Sequence, residues 1–521
     1  MERTVATTTA TEPNHTPLAR SGRANGRLIF VSNRAPIQHC TNDDGTVERV
    51  CSGGGLASAL GALAPGRPIT WIAAAAGPVE RQLAADGTHV ALEDGKTVRF
   101  VAPAREAYDL FYGTFCNPIL WFIQHSMTHR LQRDDLDSEA LEAWQRGYLP
   151  VNQAFAEAVI DELDADGGRP AVMLNDYHLY AAPLFIRNRR PDATLQHFIH
   201  IPWPEPSAWR VLRWPIVQSI CEGLLANDSV VFQTDQFARN FIDTCRLYLS
   251  DVSVDANNGR ITRAGRTTRV WANPVSVDIW QLRRELASPE ADRYRRDLAL
   301  PEGVRTIVRV DRLDPSKNAA NGFRAFGRLL ERHPEWRGKA CFLAFLVPSR
   351  DSIPEYRTYM KEVFSASGQV NERFGTKSWT PVTVFHEHNR LQALVAMSMY
   401  DVLLVNPTVD GMNLVSKEGP AVNGKSGVLV LSETAGSSAE LRAGALMVSP
   451  DDIEGAAAAL DRALRMEPEE RRERVQRLRE AIIRHDLRRW FRLLLEDVEG
   501  APSRLLVAPT AGRFAHSGAR A

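Results

Sequence analysis

Short apolar runs recur along this chain, and most end in Gly, Pro, Asn or Asp before a stretch with helical periodicity. In the first half the runs are Leu28–Val31, Val172–Leu174, Leu195–Ile201 and Ser229–Phe232, and in the second half they are Thr306–Val310, Cys341–Val347, Val382–Phe385, Val402–Val405, Val428–Leu431 and Ala445–Val448. Between them lie amphipathic segments, such as the one in which Phe323, Phe326, Leu329 and Leu330 recur at helical spacing. This alternation predicts parallel sheets with crossover helices.

The pattern divides into two halves. Residues Val252–Arg266 are polar and rich in Asn and Gly, and we place the domain boundary just after them, near 275–300. We therefore predict two doubly wound α/β domains, 27–275 and 276–498, facing each other across a cleft, with disordered tails at 1–26 and 499–521. The charged stretch Glu467–Arg489 is predicted to form one or two helices with Pro468 in the first turn.

Composition narrows the function classes. Lys+Arg and Asp+Glu are equal at 63 each, so nothing draws the chain toward nucleic acid or an anionic membrane. No apolar run approaches the ~20 residues of a membrane span, and the first 26 residues lack the apolar region of a signal peptide. The six cysteines form no C-x-x-C pair, which favours buried thiols in a reducing compartment. We expect a cytoplasmic protein, and a homo-oligomer is compatible with the sequence.

The loops after the apolar runs carry the candidate chemistry, because ligands of open α/β sheets bind beyond the carboxyl ends of the strands. These loops hold Ser32-Asn33-Arg34, Asn175-Asp176-Tyr177-His178, His200-Ile201-Pro202-Trp203-Pro204, Asp311–Asn318, Pro348-Ser349-Arg350 and Asn406–Asn413. A glycine run, Gly53-Gly54-Gly55, precedes a predicted helix near Leu56, where backbone N–H groups can approach a phosphate or sugar. Taken alone, three glycines are better explained by a tight turn.

In chain order the motifs SNR, GGGL, NDYHL, HIPWP, DRLDPSKN, PSR, FG…WTP and DGMNLVSKE resemble those of trehalose-6-phosphate synthases and their close relatives. The resemblance covers about residues 27–498. It implies a GT-B architecture with two Rossmann-like domains, the first binding the acceptor and the second the nucleotide sugar. It also implies a hexosyltransferase that retains anomeric configuration and needs no metal or other cofactor. The substrates implied are a nucleoside diphosphate glucose (UDP or GDP) and glucose 6-phosphate.

The resemblance also implies roles for single residues. The catalytic group is Arg312, Lys317, Asp176, His200 and Asp410. Donor-binding residues are Gly54, Gly55, Arg312, Lys317, Arg390, Asp410, Gly411, Met412, Asn413, Leu414, Val415 and Glu418. Acceptor-binding residues are Arg34, Tyr112, Trp121, Asp176 and Arg350. Arg312 and Lys317 would hold the departing diphosphate, and the acceptor hydroxyl would attack from the face that the diphosphate leaves.

Four positions, in three motifs, depart from the family pattern. Pro315 and Asn318 stand where an aromatic residue and a glycine are usual, Val409 stands where a basic residue is common, and Trp203 stands where phenylalanine is frequent. These departures leave two relatives open: a glucosylglycerol-phosphate synthase, and a pseudo-glycosyltransferase that joins a cyclitol to an aminocyclitol phosphate. A non-catalytic sugar-phosphate sensor is a further alternative, which the intact Arg312 and Lys317 disfavour.

Two acidic motifs could be mistaken for catalytic sites. Asp164-Ala165-Asp166 resembles a metal-binding D-x-D, but its acidic surroundings before Gly167 predict a solvated helix end. Asp43-Asp44-Gly45-Thr46 faintly resembles a phosphatase motif, yet its composition is that of a hairpin turn, so we predict no phosphatase domain.

Overall fold

The computed structural model describes residues 26–41, 46–51, 67–131, 135–166, 170–299 and 302–500. The described residues form two lobes, each built on a large, mostly parallel sheet. The strands of the first lobe are β1 (Leu28–Val31), β2 (Ile37–Thr41), β3 (Val47–Cys51), β4 (Ile69–Ala74), β5 (His89–Ala91), β6 (Lys96–Val101), β7 (Ala171–Asn175), β8 (Thr194–Phe198), β9 (Ser229–Phe232), β10 (Val252–Asp255), β11 (Arg260–Arg263) and β12 (Arg266–Ala272). Those of the second lobe are β13 (Arg305–Arg312), β14 (Ala340–Val347), β15 (Val382–Phe385), β16 (Val402–Val405), β17 (Val428–Ser432) and β18 (Leu446–Val448).

Helices connect these strands. Before β13 they are α1 (Pro78–Ala85), α2 (Arg105–Leu110), α3 (Trp121–Gln124), α4 (Leu136–Glu142), α5 (Leu149–Ala165), α6 (Ala182–Arg189), α7 (Trp214–Leu224), α8 (Asp235–Tyr248), α9 (Ile279–Leu286) and α10 (Pro289–Asp297), with π-helical turns at Phe111–Leu120 and Ala143–Tyr148. After β13 they are α11 (Ala319–Arg332), α12 (Pro354–Phe374), α13 (Arg390–Met399), α14 (Val415–Val422), α15 (Ser438–Leu441), α16 (Ile453–Arg465), α17 (Pro468–Arg484) and α18 (Leu487–Val498). Short 3-10 turns lie at Glu93–Gly95, Thr128–Arg130, Tyr177–Leu179, Pro206–Val211, Pro315–Lys317 and Pro334–Trp336. Every helix in the described ranges is too short or too polar to cross a lipid bilayer.

The second sheet has the strand order of a Rossmann fold. Its order is β15-β14-β13-β16-β17-β18, and all pairs are parallel. Strand β13 buries residues on both faces: Ile307 packs in one apolar cluster and Val308 in the cluster on the opposite side. Burial on both faces explains the continuous apolar runs, because crossover helices cover each side of a parallel sheet. The strand order reverses between β13 and β16, which is where such folds bind ligands.

The first sheet is also mostly parallel, and it has additional antiparallel strands at its edges. Its order is β10-β11-β12-β9-β8-β7-β1-β4-β6-β5, parallel from β12 to β6. Antiparallel strands β5, β10 and β11 close the two edges. The polar segment Val252–Arg266, which precedes the predicted domain boundary, is therefore mostly a hairpin that extends this sheet. The predicted hairpin around residues 43–46 is confirmed in its strands, since β2 and β3 pair antiparallel; its turn lies outside the described residues.

The last helix crosses back to the first lobe. Trp490, Phe491 and Leu494 of α18 pack in one cluster with Phe30 and Trp71 of the first sheet. Leu494 O accepts a hydrogen bond of 3.2 Å from Gln196 Nε2, and Trp490 O accepts one of 3.0 Å from Asn273 Nδ2. By its place in the chain, this helix falls within the predicted second domain, 276–498. Its apolar face instead covers a face of the first sheet, so the chain passes between the lobes twice.

Candidate active site

The predicted site residues stand at the two places where strand order reverses. Arg34 follows β1 and Asp176 follows β7, which are neighbours in the first sheet. Arg312 ends β13 and Asp410 lies in the loop after β16, which are neighbours in the second. All four strands are parallel to their neighbours, so these residues lie at the carboxyl edges of the two sheets.

Lys317 and Asp410 form a buried ion pair. Lys317 Nζ donates to Asp410 Oδ2, and each side chain is only 11% exposed. Burial opposes ionisation of Asp410, but Lys317 and the 3.1 Å hydrogen bond from Asn413 Nδ2 outweigh it, and the pKa of Asp410 falls below its usual value. The Lys317 side chain therefore already has a carboxylate partner in the cleft.

The turn that carries Lys317 accounts for two of the departures from the family pattern. Pro315 begins the 3-10 turn Pro315–Lys317, where its fixed φ fits and no N–H is required. Asn318 follows with φ of 59°, in the left-handed region that asparagine tolerates better than most residues. Its amide Nδ2 donates to Pro450 O at 2.8 Å. This turn therefore keeps its conformation without an aromatic residue or a glycine.

Asp314 is a buried carboxylate between the donor and acceptor groups. Its Oδ1 accepts from Trp121 Nε1 at 3.1 Å, across the two lobes, and its Oδ2 pairs with Arg350 Nη1 at 3.1 Å. Burial disfavours its charge, yet Arg350, Arg312 and Lys317 together lower the pKa of Asp314 well below its usual range. Arg350 therefore contacts this carboxylate directly at the lobe interface, and the charges of Arg312 and Lys317 act on it from nearby.

Four of the five predicted acceptor-binding residues, Arg34, Tyr112, Trp121 and Arg350, lie together in the structure. Arg34 Nη2 donates to Tyr112 Oη at 3.3 Å, and the Arg350 guanidinium lies 4.2 Å from the centre of the Trp121 ring. The Arg312 guanidinium lies over the same ring at 5.4 Å. Burial raises the pKa of Tyr112, but Arg350 and Arg34 outweigh it and the pKa falls below its ordinary value. The guanidinium groups of Arg34, from the first lobe, and of Arg312 and Arg350, from the second, thus lie beside the Tyr112 and Trp121 rings. This arrangement is suited to a phosphate.

Asp176 and His200 occupy adjacent strand ends in the first lobe. Burial raises the pKa of Asp176 to about 6, although backbone N–H groups of Tyr177, His200 and Ile201 lower it. One of those bonds, His200 N to Asp176 Oδ1, measures 3.2 Å. Burial lowers the pKa of His200 to about 3, so its ring is neutral near pH 7, and Nε2 pairs with Asn175 Oδ1 at 3.1 Å. This neutral ring is suited to hydrogen bonding.

The loop after β16 is packed tightly against the first lobe. A Cβ placed on Gly411 would lie 2.0 Å from His200 O, so only glycine fits there. Asn413, with φ of 69°, accepts at Oδ1 from Ser416 N at 3.3 Å and opens helix α14. Met412 is buried, and Leu414 and Val415 are half-buried at the start of that helix. The helix start offers N–H groups and a positive dipole end toward the cleft, as a diphosphate requires.

Glu418 lies one turn into α14 beside Arg390. Arg390 Nη1 lies 3.4 Å from Glu418 Oε1, and Arg390 Nε lies 3.4 Å from Glu285 Oε2 of α9. Burial raises the pKa of Glu418 above its usual value, although Arg390 opposes that shift. Glu418 is paired with one arginine and lies on α14, the helix that follows the loop after β16. It is therefore suited to accept hydrogen bonds from hydroxyl groups of a ligand.

Some predictions fall elsewhere. Gly54 and Gly55 lie outside the described residues. Asp164 stands at the end of α5 and pairs with Arg190 at 2.6 Å, which confirms the predicted solvated helix end. The described residues include no group of three or more His, Cys, Asp or Glu side chains placed to share a metal ion. Cys40 is exposed, contrary to the expectation of buried thiols, whereas Cys116, Cys221, Cys245 and Cys341 are buried.

Sequence reasoning missed several residues at the lobe interface. Tyr356 Oη donates to Asp314 Oδ2 at 3.1 Å, and Arg350 Nη2 donates to Tyr177 Oη at 3.1 Å. Arg350 adopts φ of 53° and Asp176 φ of 71°, unusual for residues other than glycine. The density of charge in Asp311–Lys317 is the signal that could have marked Asp314. Tyr356 lies in an ordinary amphipathic helix, so no local pattern marks it.

Comparison with known proteins gives a consistent family. A family model described as glycosyltransferase family 20 matches residues 26–500. A trehalose-6-phosphate synthase of Mycolicibacterium vanbaalenii is 34% identical over 501 residues, covering 93% of this chain and 98% of the relative. A longer Arabidopsis thaliana relative, named as a probable UDP-forming alpha,alpha-trehalose-phosphate synthase, is 30% identical over 91% of this chain; the match spans 57% of that relative.

Solved structures resemble the fold over most of its length. A UDP-forming alpha,alpha-trehalose-phosphate synthase from Burkholderia xenovorans, in complex with glucose-6-phosphate, superposes with a TM-score of 0.78 at 29% identity, covering 91% of this chain and all of that one. An E. coli protein bound with UDP-2-fluoro glucose superposes with a TM-score of 0.77 at 27% identity, covering 91% of this chain and 99% of that one. The two-lobed architecture is therefore a GT-B fold.

Proposed function

Since the chain belongs to glycosyltransferase family 20, we propose that it transfers glucose from UDP-glucose to glucose 6-phosphate and forms alpha,alpha-trehalose 6-phosphate. The observation that carries this proposal is the grouping of cations around Asp314. Lys317 lies on the donor side of that carboxylate and Arg350 on the side of Tyr112, with Arg312 beside the shared Trp121 ring. Arg312 and Lys317 suit a diphosphate, and Arg350 with Arg34 suits a sugar phosphate.

The choice of substrates is supported by relatives. The solved E. coli relative is described with a UDP-2-fluoro glucose, and the Burkholderia xenovorans relative with glucose-6-phosphate. A GDP-linked donor remains part of the proposal to be tested, since the donor loop carries Val409 where a basic residue is common.

The mechanism we propose is transfer on one face of the donor sugar. The bond between C1 and the diphosphate oxygen breaks, and the acceptor hydroxyl oxygen forms a new bond to C1 from the same side. The proton of that hydroxyl moves to the departing diphosphate oxygen. Arg312 and Lys317 stabilise the charge that develops there, which is the interaction expected to lower the barrier most. Asp176 accepts a hydrogen bond from the acceptor, and the neutral His200 ring lies beside the donor sugar.

No covalent intermediate is needed in this scheme. Asp410 Oδ2 already accepts hydrogen bonds from Lys317 Nζ and Asn413 Nδ2. Asp176 accepts backbone hydrogen bonds and carries a raised pKa, which reduces its ionised fraction near pH 6. Both carboxylates are thus better suited to binding than to nucleophilic attack.

A matrix of donors and acceptors tests the proposal. UDP-, GDP- and ADP-glucose would each be incubated with glucose 6-phosphate, glycerol phosphate or a cyclitol phosphate, with a chelator present, and products identified by mass and anomeric configuration. We expect trehalose 6-phosphate from UDP-glucose. Transfer only to glycerol phosphate or a cyclitol phosphate would assign a different acceptor, and no transfer from any donor would favour a sensor.

A further inference from the structure

A buried arginine lies directly beneath the Lys317 turn. Arg309 stands in the middle of β13, with 0% of its side chain exposed. The other residues of that strand segment, Ile307 and Val308, are apolar core residues. A charged group in this position is expensive to bury and is retained only where its partners compensate for the lost water.

The guanidinium group joins three segments of the second lobe. Arg309 Nη2 lies 2.9 Å from Asp311 Oδ2 and also donates to the carbonyl oxygen of Lys317. Nη1 donates to Asn406 Oδ1 at 2.5 Å. Asn406 begins the loop that ends in Asp410. Arg309 thus connects its own strand, the turn that carries Lys317 and the loop that carries Asp410.

These contacts complete a ring with the ion pair in the cleft. On the cleft side, Lys317 Nζ binds Asp410; beneath them, Arg309 binds the Lys317 backbone and Asn406. A backbone hydrogen bond of 2.9 Å from Thr408 N to Ser316 O fixes the register between the two segments. Three sets of contacts therefore connect the turn to the loop: the Lys317–Asp410 ion pair, the Thr408–Ser316 backbone hydrogen bond and the hydrogen bonds of Arg309. Those of Arg309 are the most deeply buried.

The surroundings of Arg309 are built to admit its side chain. A Cβ on Gly322, in the first turn of α11, would lie only 2.7 Å from Arg309 Nη1. The Lys317 carbonyl belongs to the last residue of the turn before that helix, and it points its oxygen at the guanidinium. The fit on the helix side and the bonds on the turn side leave Arg309 little freedom.

We propose that Arg309 is a positioning residue for donor binding: it holds the Lys317 backbone against the Asn406 loop, so that the Lys317 ammonium meets the donor diphosphate. It does not touch the donor, and the inference rests on the proposed function. Displacing a catalytic cation by about 1 Å can cost on the order of 10²-fold in rate. Loss of Arg309 should therefore act through Lys317.

A double-mutant cycle tests this dependence. UDP affinity would be measured by calorimetry, and turnover by release of UDP, for wild type, Arg309→Met, Lys317→Ala and the double variant. We expect Arg309→Met to weaken UDP binding about 10-fold and to lower kcat about 10- to 100-fold, with the acceptor KM changed less than about threefold. In the Lys317→Ala background the same change should cost less than about twofold in UDP affinity. Equal losses in both backgrounds would overturn the proposal.

Arg471 provides the matched control. It is also a buried arginine of the second lobe, and it donates to the carbonyl oxygens of Ala463 and Met466 in the α16–α17 connection. Arg471→Met should lower the melting temperature and leave UDP affinity unchanged. If Arg309→Met behaves in the same way, its role is only structural and the proposal is wrong.

Two further outcomes distinguish a failure of the positioning role of Arg309 from a failure of the proposed glucosyl transfer. If Arg309→Met does not fold, Asn406→Ala removes one partner and should show a smaller loss of UDP affinity with the same dependence on Lys317; additive losses there would refute the inference. If wild type binds UDP and the coupling is present, but no acceptor receives glucose, the positioning role stands and the proposed transfer falls.

Discussion

Replacing Lys317 should lower both the folding stability and the turnover, because its side chain pairs with Asp410 and, in the proposed mechanism, stabilises the departing diphosphate. In Lys317→Met the Asp410 carboxylate is left buried without its cation. Removing one partner of a buried pair costs about 3–5 kcal/mol of folding free energy. For a lobe of this size that corresponds to a fall of roughly 6–20 °C in melting temperature. Turnover should fall about 10²- to 10³-fold, the cost of removing one group that stabilises the leaving charge.

A second substitution distinguishes the two effects. In Lys317→Met/Asp410→Asn the uncompensated charge is gone, so thermal unfolding should recover most of the lost stability. Turnover should stay low, because the leaving diphosphate still lacks its ammonium. The measurements are calorimetric melting and the initial rate of UDP release. Recovery of turnover in the double variant, or normal turnover in Lys317→Met, would refute the role of Lys317.

The pH dependence of the stability loss gives an independent check. The folded pKa of Asp410 is depressed. Its stabilisation is therefore present above the pKa of the unfolded carboxyl, about 3.9, and is lost as the pH falls through the folded pKa. The stability difference between wild type and Lys317→Met should be largest near neutral pH and should shrink below about pH 4.

Three further changes have defined outcomes. Because the pKa of Asp176 is about 6, kcat/KM should fall as the pH drops below that value and the carboxylate is protonated; Asp176→Asn should remove this limb of the profile, and a limb that persists would assign it to another group. Gly411→Ala should lower turnover and melting temperature together, because its Cβ would meet His200 O at 2.0 Å; wild-type values for both would contradict the close packing. Tyr112→Phe removes the partner of Arg34 and should raise the acceptor KM about 10-fold by loss of one charge-assisted hydrogen bond, with slow donor hydrolysis unchanged; an unchanged KM would exclude Tyr112 from acceptor binding.

Local pattern sufficed for the parts of the fold that repeat. The run Val402–Val405 coincides with β16, which is buried along its whole length, and strands buried on both faces read as continuous apolar segments. The run Val382–Phe385 coincides with the edge strand β15, of which only Val382 is buried. Strand β4 (Ile69–Ala74) is absent from the predicted runs although it is fully buried and begins with Ile69, Thr70, Trp71 and Ile72, which are residue types enriched in strands. The local signal for this strand was therefore present in the sequence. The hairpin within Val252–Arg266 was missed because its edge strands are polar.

The sequence pattern also did not show where some predicted elements pack in the tertiary structure. The periodicity of the last segment predicts a helix, but no local pattern states which core its apolar face joins. Arg309 shows the same limit in the site. It stands inside a run read as apolar, and a charged residue in a strand is ordinarily solvent-facing. Only the contacts with Asn406 and the Lys317 carbonyl show why it is buried there.

The return of the last helix to the first lobe bears on how the chain matures during translation. The strands of the first sheet end at Ala272, yet one of their apolar faces is covered by residues Leu487–Val498. At ribosomal speeds of about 5–20 residues per second, roughly 10–40 s separate the synthesis of these two segments. During that interval Phe30 and Trp71 have no cover from α18, so the apolar face of the first sheet that they share is completed only when the final helix docks.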